Sequence, residues 1–238
     1  MKIKWSGIGI VDGRGKINGS VASKNRSGAY MRTKVTPVNR RTISQQAVRS
    51  TFGFVAQQWR GLTEIQRKAW AAAVENFKNT DIFGDLKSPS GFNLFSKLNL
   101  PLINTTGGWN VNPPTAVEVP QVVLGEFSVN IETNLINLAV AANPLNTGGG
   151  ILVVDATPSM SAGINFVKSQ YRRIHHQVVA DTASAVPVSL YDAYVTIFGE
   201  PVLDQKVFIR AYYIAPTGQT GAPTSASSIV VSNANPPG

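Results

Sequence analysis

Apolar side chains recur every three or four residues between Thr42 and Phe77, the spacing that places them on one face of a helix. The pattern is interrupted at Gly61-Leu62, so the stretch predicts two consecutive helices. A threonine begins each segment and a glutamine follows three positions later, which is the spacing of a capping box. The predicted core faces are Val48, Phe52, Val55, Trp59 and Leu62 in the first helix and Ile65, Ala69, Ala72, Ala73 and Phe77 in the second.

A third, shorter helical pattern follows Ser90, which is a suitable N-cap. Phe92, Phe95 and Leu98 share its apolar face. Three helices of this length make only a small bundle, so we expect it to pack against the rest of the chain or against another chain. Segment 100–114 (LPLINTTGGWNVNPP) is predicted to be a linker because of its double Gly and double Pro, and we place a domain boundary near Asn112.

From residue 115 onward the pattern changes to short β-branched and aromatic runs bounded by Gly, Pro, Asn and Asp, which predict strands. About seven such strands are typical of an antiparallel sandwich of the immunoglobulin or fibronectin type III kind, although the Cys…Trp…Cys signature is absent. Segments 143–149 and 215–222 predict turns, and Ser189–Phe198 a short helical crossover. The predicted strands are Ala116–Val123, Glu126–Ile131, Leu135–Ala141, Gly150–Ala156, Phe166–Val179, Lys206–Ile214 and Ser227–Val231.

Residues 1–41 form a different kind of segment, rich in Gly, Ser, Asn, Lys and Arg. Lys16–Ser23 and Ala29–Val35 alternate enough to be strands, but neither could bury a core alone. We expect this arm to become ordered on a neighbouring sheet or on a partner surface. The predicted class is therefore α+β: an extended basic arm (1–41), a helical region with a linker (42–112) and a β-sandwich (113–238).

Charge is divided unevenly along the chain. The net charge is +9, yet residues 1–112 hold 17 Lys/Arg against 5 Asp/Glu, whereas residues 113–238 hold 5 against 8. A basic arm favours a phosphate backbone or an acidic protein surface as partner, and a solvated tail is the alternative. The candidate partner-binding residues are Lys24, Arg26, Tyr30, Arg32, Lys34, Arg40, Arg41, Arg60 and Arg67.

Known catalytic patterns are not found in the sequence. With no cysteine there is no disulfide, thiolate zinc site or cysteine nucleophile. His175 and His176 are adjacent in a predicted strand and would point to opposite faces, so they would not bind one metal together. The N-terminal glycines fit neither a dinucleotide fingerprint nor a Walker loop. We expect no enzyme activity, no cofactor, no metal, no signal peptide and no membrane span.

The helical stretches also carry a family resemblance. RRTISQQAVR (40–49), WRGLTEIQRKAW (59–70) and SGFNLFSKLN (90–99) resemble a family of phage and prophage proteins frequent in viruses of Bacteroidetes. The basic arm and the immunoglobulin-like C-terminal half are similar to that family too. The resemblance implies a non-enzymatic virion protein, made in the bacterial cytoplasm, and most simply an auxiliary or decoration protein of the capsid. Its expected partners are the major capsid protein, other virion proteins and further copies of itself.

Two other functions stay open at this point. The basic arm would also suit a nucleic-acid-associated protein packaged in the head, with Tyr30 stacking on bases. Alternatively, the chain is a tail, neck or host-adhesion component whose β-sandwich binds a glycan. Its aromatic candidates are Tyr171, Tyr191 and Tyr212 or Tyr213.

Overall fold

The protein is α+β, and the computed structural model describes residues 2–5, 10–25, 28–80, 84–140, 150–179 and 186–232. The helices are α1 (Ile43–Gly61), α2 (Glu64–Ala73), α3 (Gly91–Ile103) and α4 (Tyr191–Phe198). The strands are β1 (Lys2–Trp5), β2 (Ile10–Ile17), β3 (Ser20–Asn25), β4 (Gly28–Thr33), β5 (Asn79–Thr80), β6 (Leu86–Lys87), β7 (Leu124–Asn130), β8 (Leu135–Val140), β9 (Gly150–Ala156), β10 (Arg172–Val179), β11 (Val186–Ser189), β12 (Lys206–Ile214) and β13 (Thr224–Val231).

The chain divides into two units. The first comprises Met1–Ser50 and Lys78–Ser88, and the second comprises Thr51–Phe77 and Pro89–Gly238. Strands β1 to β6 and the start of α1 belong to the first unit. The rest of α1, the other helices and strands β7 to β13 belong to the second.

The predicted helical pair is confirmed, and so are its caps. The Thr63 hydroxyl accepts a hydrogen bond from the Gln66 N–H (3.3 Å), while the Gln66 side chain accepts one from the Thr63 N–H (2.9 Å). This reciprocal capping box satisfies two N–H groups that the helix itself cannot. At the start of α1, the Thr42 hydroxyl accepts from the Gln45 N–H (3.3 Å). The helices therefore begin where the sequence predicts.

The buried faces differ in part from the prediction. In α1, Val55 and Leu62 are buried, but Val48 is 70% exposed and Phe52 46%. In α2 the predicted face is wrong at its start, because Ile65 is 81% exposed. The buried face runs from Trp70 in α2 into the 3₁₀ helix Val74–Phe77 that follows, where Val74 and Phe77 are buried. The indole of Trp70 has the largest apolar surface in α2, and its burial sets the rotation of the helix.

Aromatic rings hold the three helices together. The rings of Trp70 and Phe95 meet edge to face at 5.2 Å, and Trp59 packs on Phe95 at 5.4 Å. Such pairs contribute roughly 0.5–1.5 kcal/mol beyond the area that they bury. The buried residues of this helical cluster are Val55, Leu62, Trp70, Val74, Phe77, Leu94, Phe95 and Leu98.

The third helix is confirmed with its Ser90 cap, and it continues four residues into the predicted linker, through Pro101 to Ile103. Proline lacks an N–H but is tolerated near this end, where the Thr105 hydroxyl bonds the Pro101 carbonyl (2.8 Å). The rest of the predicted linker is tied to the helices. The indole N–H of Trp70 donates to the Val111 carbonyl (2.8 Å), and Asn110 N–H donates to the Asn99 side chain (2.6 Å).

Strands β7 to β13 form one mixed sheet in the order β10-β9-β12-β13-β7-β8-β11. The β13–β7 pairing is parallel and covers only Val230–Val129 and Val231–Asn130, whereas the other pairings of this sheet are antiparallel. The sheet is curled, and side chains from both of its ends meet in a single cluster. That cluster includes Ile136 and Leu138 of β8, Val154 of β9 and Ile209 of β12.

The outer side of the same sheet carries α3. Leu102 of the helix packs with Ile151, Val153 and Ile214, which project from β9 and β12 on the side away from the main cluster. Leu102 therefore joins α3 to the outer side of the sheet.

Two strand predictions are corrected by the pairing pattern. Ala116–Val123 is extended but is not a strand, because its backbone bonds to side chains instead of a neighbouring strand: Val117 N–H donates to Gln219 (2.7 Å) and the Val122 carbonyl accepts from Thr224. The strand predicted over Phe166–Val179 begins only at Arg172. Its partner β9 ends at Ala156, opposite Arg172, so the residues before Arg172 have no strand to pair with.

The remaining strand predictions agree closely with the structure. β9 and β12 have the predicted bounds, β7, β8 and β13 shift by up to three residues, and the helical crossover is α4. Strand β11 was not predicted, because a four-residue segment with a proline gives a weak pattern. The predicted turn at 215–222 is confirmed, with Gly218 N–H bonded to the Ala215 carbonyl (2.8 Å). The predicted turn at 143–149 lies outside the described residues.

The first unit contains a four-stranded antiparallel sheet in the order β1-β2-β3-β4. The strand predicted over Lys16–Ser23 is wrong: it is a hairpin whose turn is Asn18-Gly19, with Asn18 at φ 45°. The first central position of this two-residue turn has positive φ, which asparagine tolerates better than most residues. The strand predicted over Ala29–Val35 is confirmed as β4, slightly shifted. Among the residues of this unit whose side-chain exposure is described (13–25, 28–50, 78, 80 and 84–88), none is buried.

Gly218 provides a test of how tightly the second unit is packed. Its φ is 84°, and a Cβ there would overlap the carbonyl oxygen of Leu98 in α3. We expect Gly218→Ala to lower the free energy of unfolding by about 3 kcal/mol or more, because both the backbone and the contact resist it. Chemical denaturation followed by tryptophan fluorescence measures this change.

Gly53→Ala is the matched control. Gly53 lies inside α1 with open space where a Cβ would stand. The same substitution should therefore stabilise the protein by about 0.5–1 kcal/mol, since alanine is the better helix former. Equal effects at the two glycines would contradict the close approach of residue 218 to α3.

Candidate polyanion-binding surface

The register of the first sheet gathers basic side chains on one face. Lys16 lies opposite Val21, and Val21 lies opposite Arg32, so these three residues share a face. Arg14 is two residues before Lys16 and Tyr30 is two before Arg32, which places both on that face as well. We call Arg14, Lys16, Tyr30 and Arg32 the basic face. Tyr30 is 42% exposed, and Lys16 and Arg32 are exposed.

The opposite face of the sheet is more apolar. Ala22 pairs with Met31, and Ile17 lies two residues beyond Gly15, the partner of Ala22. Ile17 is 42% exposed and Met31 64%. Lys24 is two residues beyond Ala22 and so lies on this second face. The predicted site residues Lys24 and Arg32 are therefore on opposite sides of the sheet.

More basic residues follow β4 on the way into α1. Lys34, Arg40 and Arg41 are all exposed. Asn39 fixes this turn: its side-chain oxygen accepts from the Arg41 N–H (3.3 Å) and from the Arg49 guanidinium (3.0 Å). The first turn of α1 has no acidic residue, so Arg40 and Arg41 add to the positive potential of the helix N-terminus. An anionic group would be attracted to this point.

The exposed Arg67 side chain has a structural role that the sequence does not predict. Its guanidinium donates to the Leu62 carbonyl through Nε (3.1 Å) and Nη2 (2.8 Å), and to the Arg60 carbonyl (3.2 Å). These are the carbonyls that α1 leaves unsatisfied at its C-terminus. Arg67 thus caps α1 from α2 and fixes the turn between them, whereas the Arg60 side chain is exposed.

Charge follows the division into units. By sequence the first unit carries 13 Lys/Arg against 3 Asp/Glu, a net charge of +10, and the second carries 9 against 10, a net charge of −1. Of the predicted site residues, Lys24, Tyr30, Arg32, Lys34, Arg40 and Arg41 lie in the first unit, Arg60 and Arg67 lie in the second, and Arg26 is outside the described residues.

Sequence reasoning missed Arg14, Lys16 and Arg49. A single strand over Lys16–Ser23 would not bring Arg14 and Lys16 beside Arg32. The Asn18-Gly19 hairpin does so by pairing Lys16 with Val21, which pairs with Arg32. Arg49 was treated as part of the helix alone. Its bond to Asn39 depends on how the chain enters α1, which the sequence pattern does not give.

The histidines are separated as predicted. His175 lies opposite Val154, whose side chain is in the main cluster, and its Nε2 is shielded without a hydrogen-bond partner; His176 is exposed. Among the residues that the structure describes, no three His, Asp or Glu side chains are grouped to hold a metal ion. In the same residues, no helix is long and apolar enough to cross a membrane.

The tyrosines proposed for glycan contact occupy different environments. Tyr213 is 1% exposed and belongs to the main cluster. Tyr191 lies on α4, and Tyr212 accepts a hydrogen bond from the Arg173 guanidinium (3.3 Å). Tyr171 packs under the guanidinium of Arg210, 4.5 Å from the ring centre. Burial raises the pKa of Tyr171, so its hydroxyl keeps its proton at neutral pH.

Comparison with known proteins gives no relative for this site. No protein-family model, curated protein or solved structure matches the chain.

Arg67 and Arg60 make a matched pair for testing whether the Arg67 cap stabilises the fold. Arg67→Ala should lower the free energy of unfolding by about 1–3 kcal/mol, because two helix-end carbonyls lose a charged donor. Arg60→Ala, at an exposed side chain, should change it by less than about 0.5 kcal/mol. Thermal unfolding of the two variants measures the difference, and similar stabilities would mean that the Arg67 cap contributes nothing.

Proposed function

We propose that this chain is a non-enzymatic structural protein of a bacteriophage virion, associated with the capsid. Its first unit docks on a negatively charged surface of the particle, and its second unit is carried as a folded module on that anchor. The motif resemblance at 40–49, 59–70 and 90–99 supports the virion setting. The surface chemistry of the first unit supports the mode of attachment.

The observation that carries the proposal is the combination of charge and missing core in the first unit. A four-stranded sheet normally needs one face removed from water. Here Ile17, Tyr30 and Met31 are all at least 42% exposed, and none of the residues 13–25 and 28–50 is buried. A partner that covers the sheet would supply the missing burial. The net charge of +10 makes that partner anionic.

The hairpins and the Asn39 turn favour a surface of defined shape and argue against a loose, solvated tail. Lys34 N–H donates to the Gly19 carbonyl (2.7 Å), which ties the exit of β4 to the β2–β3 turn. Asn39 then holds Arg49 and the Arg41 backbone. Basic groups at fixed spacing can match an array of acidic side chains, as a repeating capsid surface would present.

We also infer that the sheet of the second unit is an immunoglobulin-like sandwich. Strands β7, β8 and β11 would form one layer, and β10, β9, β12 and β13 the other. The shared apolar cluster and the two-residue parallel pairing of β13 with β7 support a fold at that point. Such modules serve many functions, so the sandwich alone does not specify the ligand.

A second candidate function is attachment to packaged nucleic acid. It is favoured by the position of Tyr30 between basic neighbours on one sheet face, because bases stack on aromatic rings while cations contact phosphates. The same residues would serve both candidates, and the salt dependence of binding separates them.

Virion attachment is tested by charge reversal. We expect particles produced with a Lys16→Glu, Arg32→Glu variant, or with residues 1–41 deleted, to lose the protein, because an anionic surface would repel or miss it. Both residues are exposed and the apolar clusters lie in the second unit, so the free variants should remain folded. Quantitative mass spectrometry of purified virions measures copy number.

A charge-conserving control accompanies this experiment. Lys16→Arg with Arg32→Lys keeps the positive charges and should leave the copy number at the wild-type level. Absence of the wild-type protein from virions would refute the virion assignment. Full incorporation of the charge-reversed variant would refute attachment through the basic face.

Nucleic-acid attachment predicts a steep dependence on salt. If the basic face binds phosphates, DNA affinity should fall linearly on a log–log plot against salt, and Lys16→Gln or Arg32→Gln should each reduce the slope by about 1. Lys68→Gln, at an exposed site on α2, is the control and should leave the slope unchanged. Fluorescence anisotropy with short single-stranded and duplex DNA measures this. Affinity that is absent or independent of salt would eliminate this candidate.

A further inference from the structure

The loop between β9 and β10, residues 157–171, encloses a cleft on the outer face of the sheet. The smaller of two adjoining cavities measures about 180 Å³. Across Phe166 and Val167 a second cavity of about 300 Å³ continues along the same loop. We call the smaller one the aromatic cleft; it is lined by Asn165, Phe166, Tyr171, Phe208, Ser225 and Ser227 among others.

Strand pairing fixes the floor of the cleft. Phe208 lies opposite Ser227, and Arg210 lies opposite Ser225, so all four project from the same side of the sheet. Phe208 is only 6% exposed and forms an apolar base, whereas the two serines are exposed beside it. A ligand lying here would meet an aromatic ring and hydroxyl groups together.

The walls of the cleft are held by hydrogen bonds. Lys206 Nζ donates to the Ile164 carbonyl (3.3 Å) and to the Asn165 side chain (3.2 Å). The backbones of Met160 and Lys206 bond to each other in both directions, at 2.9 and 2.7 Å. The loop is therefore fastened to β12 at several points, and the cleft exists before a ligand arrives. Preformed walls reduce the entropy that binding must overcome.

The charged groups near the cleft are already engaged. Arg210 bonds to Asp155 through Nε (2.9 Å) and pairs with it through Nη2 (2.8 Å), and its guanidinium also covers one side of Tyr171. Asp155 is 5% exposed. The Lys206 ammonium is held by Ile164 and Asn165 and lies 5.9 Å from the centre of the Phe208 ring. The lining therefore offers a ligand aromatic rings, hydroxyls and the Asn165 amide beside one cation.

Phe166 is the most exposed aromatic side chain of the cleft. Its ring is 79% exposed and stands between the two cavities. Together with Tyr171 and Phe208 it places three aromatic rings around one opening. Its ring and that of Tyr171 offer negative π faces.

We propose that the aromatic cleft binds a pyranose ring of a neutral saccharide. A sugar ring has C–H groups on its faces, which suit aromatic rings, and hydroxyls at its edge, which suit Asn165, Ser225 and Ser227. The volume fits one ring, and the adjoining cavity has room for a second sugar with Lys168 and Gln170 at its lining. This proposal does not rest on the virion assignment or on the basic face.

Saturation-transfer-difference NMR of the full chain tests the proposal. The probes are methyl pyranosides of glucose, mannose, galactose and N-acetylglucosamine and their common disaccharides, at about 10 mM, where a site of millimolar affinity is mostly occupied. We expect transfer to ring C–H protons of at least one probe. Phe166→Ala should reduce this transfer at least tenfold, and Phe166→Tyr should retain it.

Two controls keep the outcome clear. Phe166→Ala should leave the unfolding midpoint unchanged, because the ring is mostly exposed. Tyr30→Ala, which removes an exposed aromatic ring from the first unit, should leave saccharide binding unchanged. The proposal would be overturned if no probe shows transfer, or if Phe166→Ala shows the same transfer as the wild type. It would also be overturned if the cleft binds a proline-rich peptide in place of sugars.

Discussion

A β-sheet of four strands is stable in water only when one of its faces is covered, and in the N-terminal sheet no side chain of residues 13–25 and 28–33 is buried on either face. The apolar clusters of the protein, which join α1, α2 and α3 and fill the curled sheet, draw their described residues from the second unit. The first unit has backbone pairing, local hydrogen bonds and a high positive charge. Repulsion among its basic side chains favours an anionic partner. The exposed Ile17 and Met31 favour a partner in close contact with the sheet.

The second unit, by contrast, buries apolar side chains within itself. Trp70 joins the helices through ring contacts and bonds the chain beyond them through the Val111 carbonyl. Leu102 then carries α3 onto the outer face of the sheet, and Gly218 approaches the same helix so closely that no side chain fits. These contacts give the second unit buried clusters that are not found among residues 13–25 and 28–50 of the first.

The sequence predicted the elements that depend on short-range chemistry. The capping box at Thr63, the Ser90 cap and the bounds of β9 and β12 follow from local patterns, and they are found. What failed depends on distant partners. Residues 166–171 have a strand-like sequence but no strand opposite them. The hydrogen bond from Arg67 to the Leu62 carbonyl depends on where α1 ends, which the sequence around Arg67 does not reveal. The sequence predicts Tyr30 and Arg32 of the basic face as binding residues. It does not show that Arg14 and Lys16 lie on the same face, because this depends on the register of the Asn18-Gly19 hairpin. The aromatic cleft could not be predicted, since it joins residues about 60 positions apart in the β9–β10 loop, β12 and β13.

Hydrogen–deuterium exchange of the first sheet tests the central claim most directly. Amides of β2, β3 and β4 would be compared in the free protein and in purified virions, with β9 and β12 as an internal reference. If an anionic partner covers the sheet, its amides should exchange quickly in the free chain and become protected in the particle, while β9 and β12 stay protected in both. Equal exchange of the first sheet in the two states would contradict the account, because the sheet would then gain nothing from its partner.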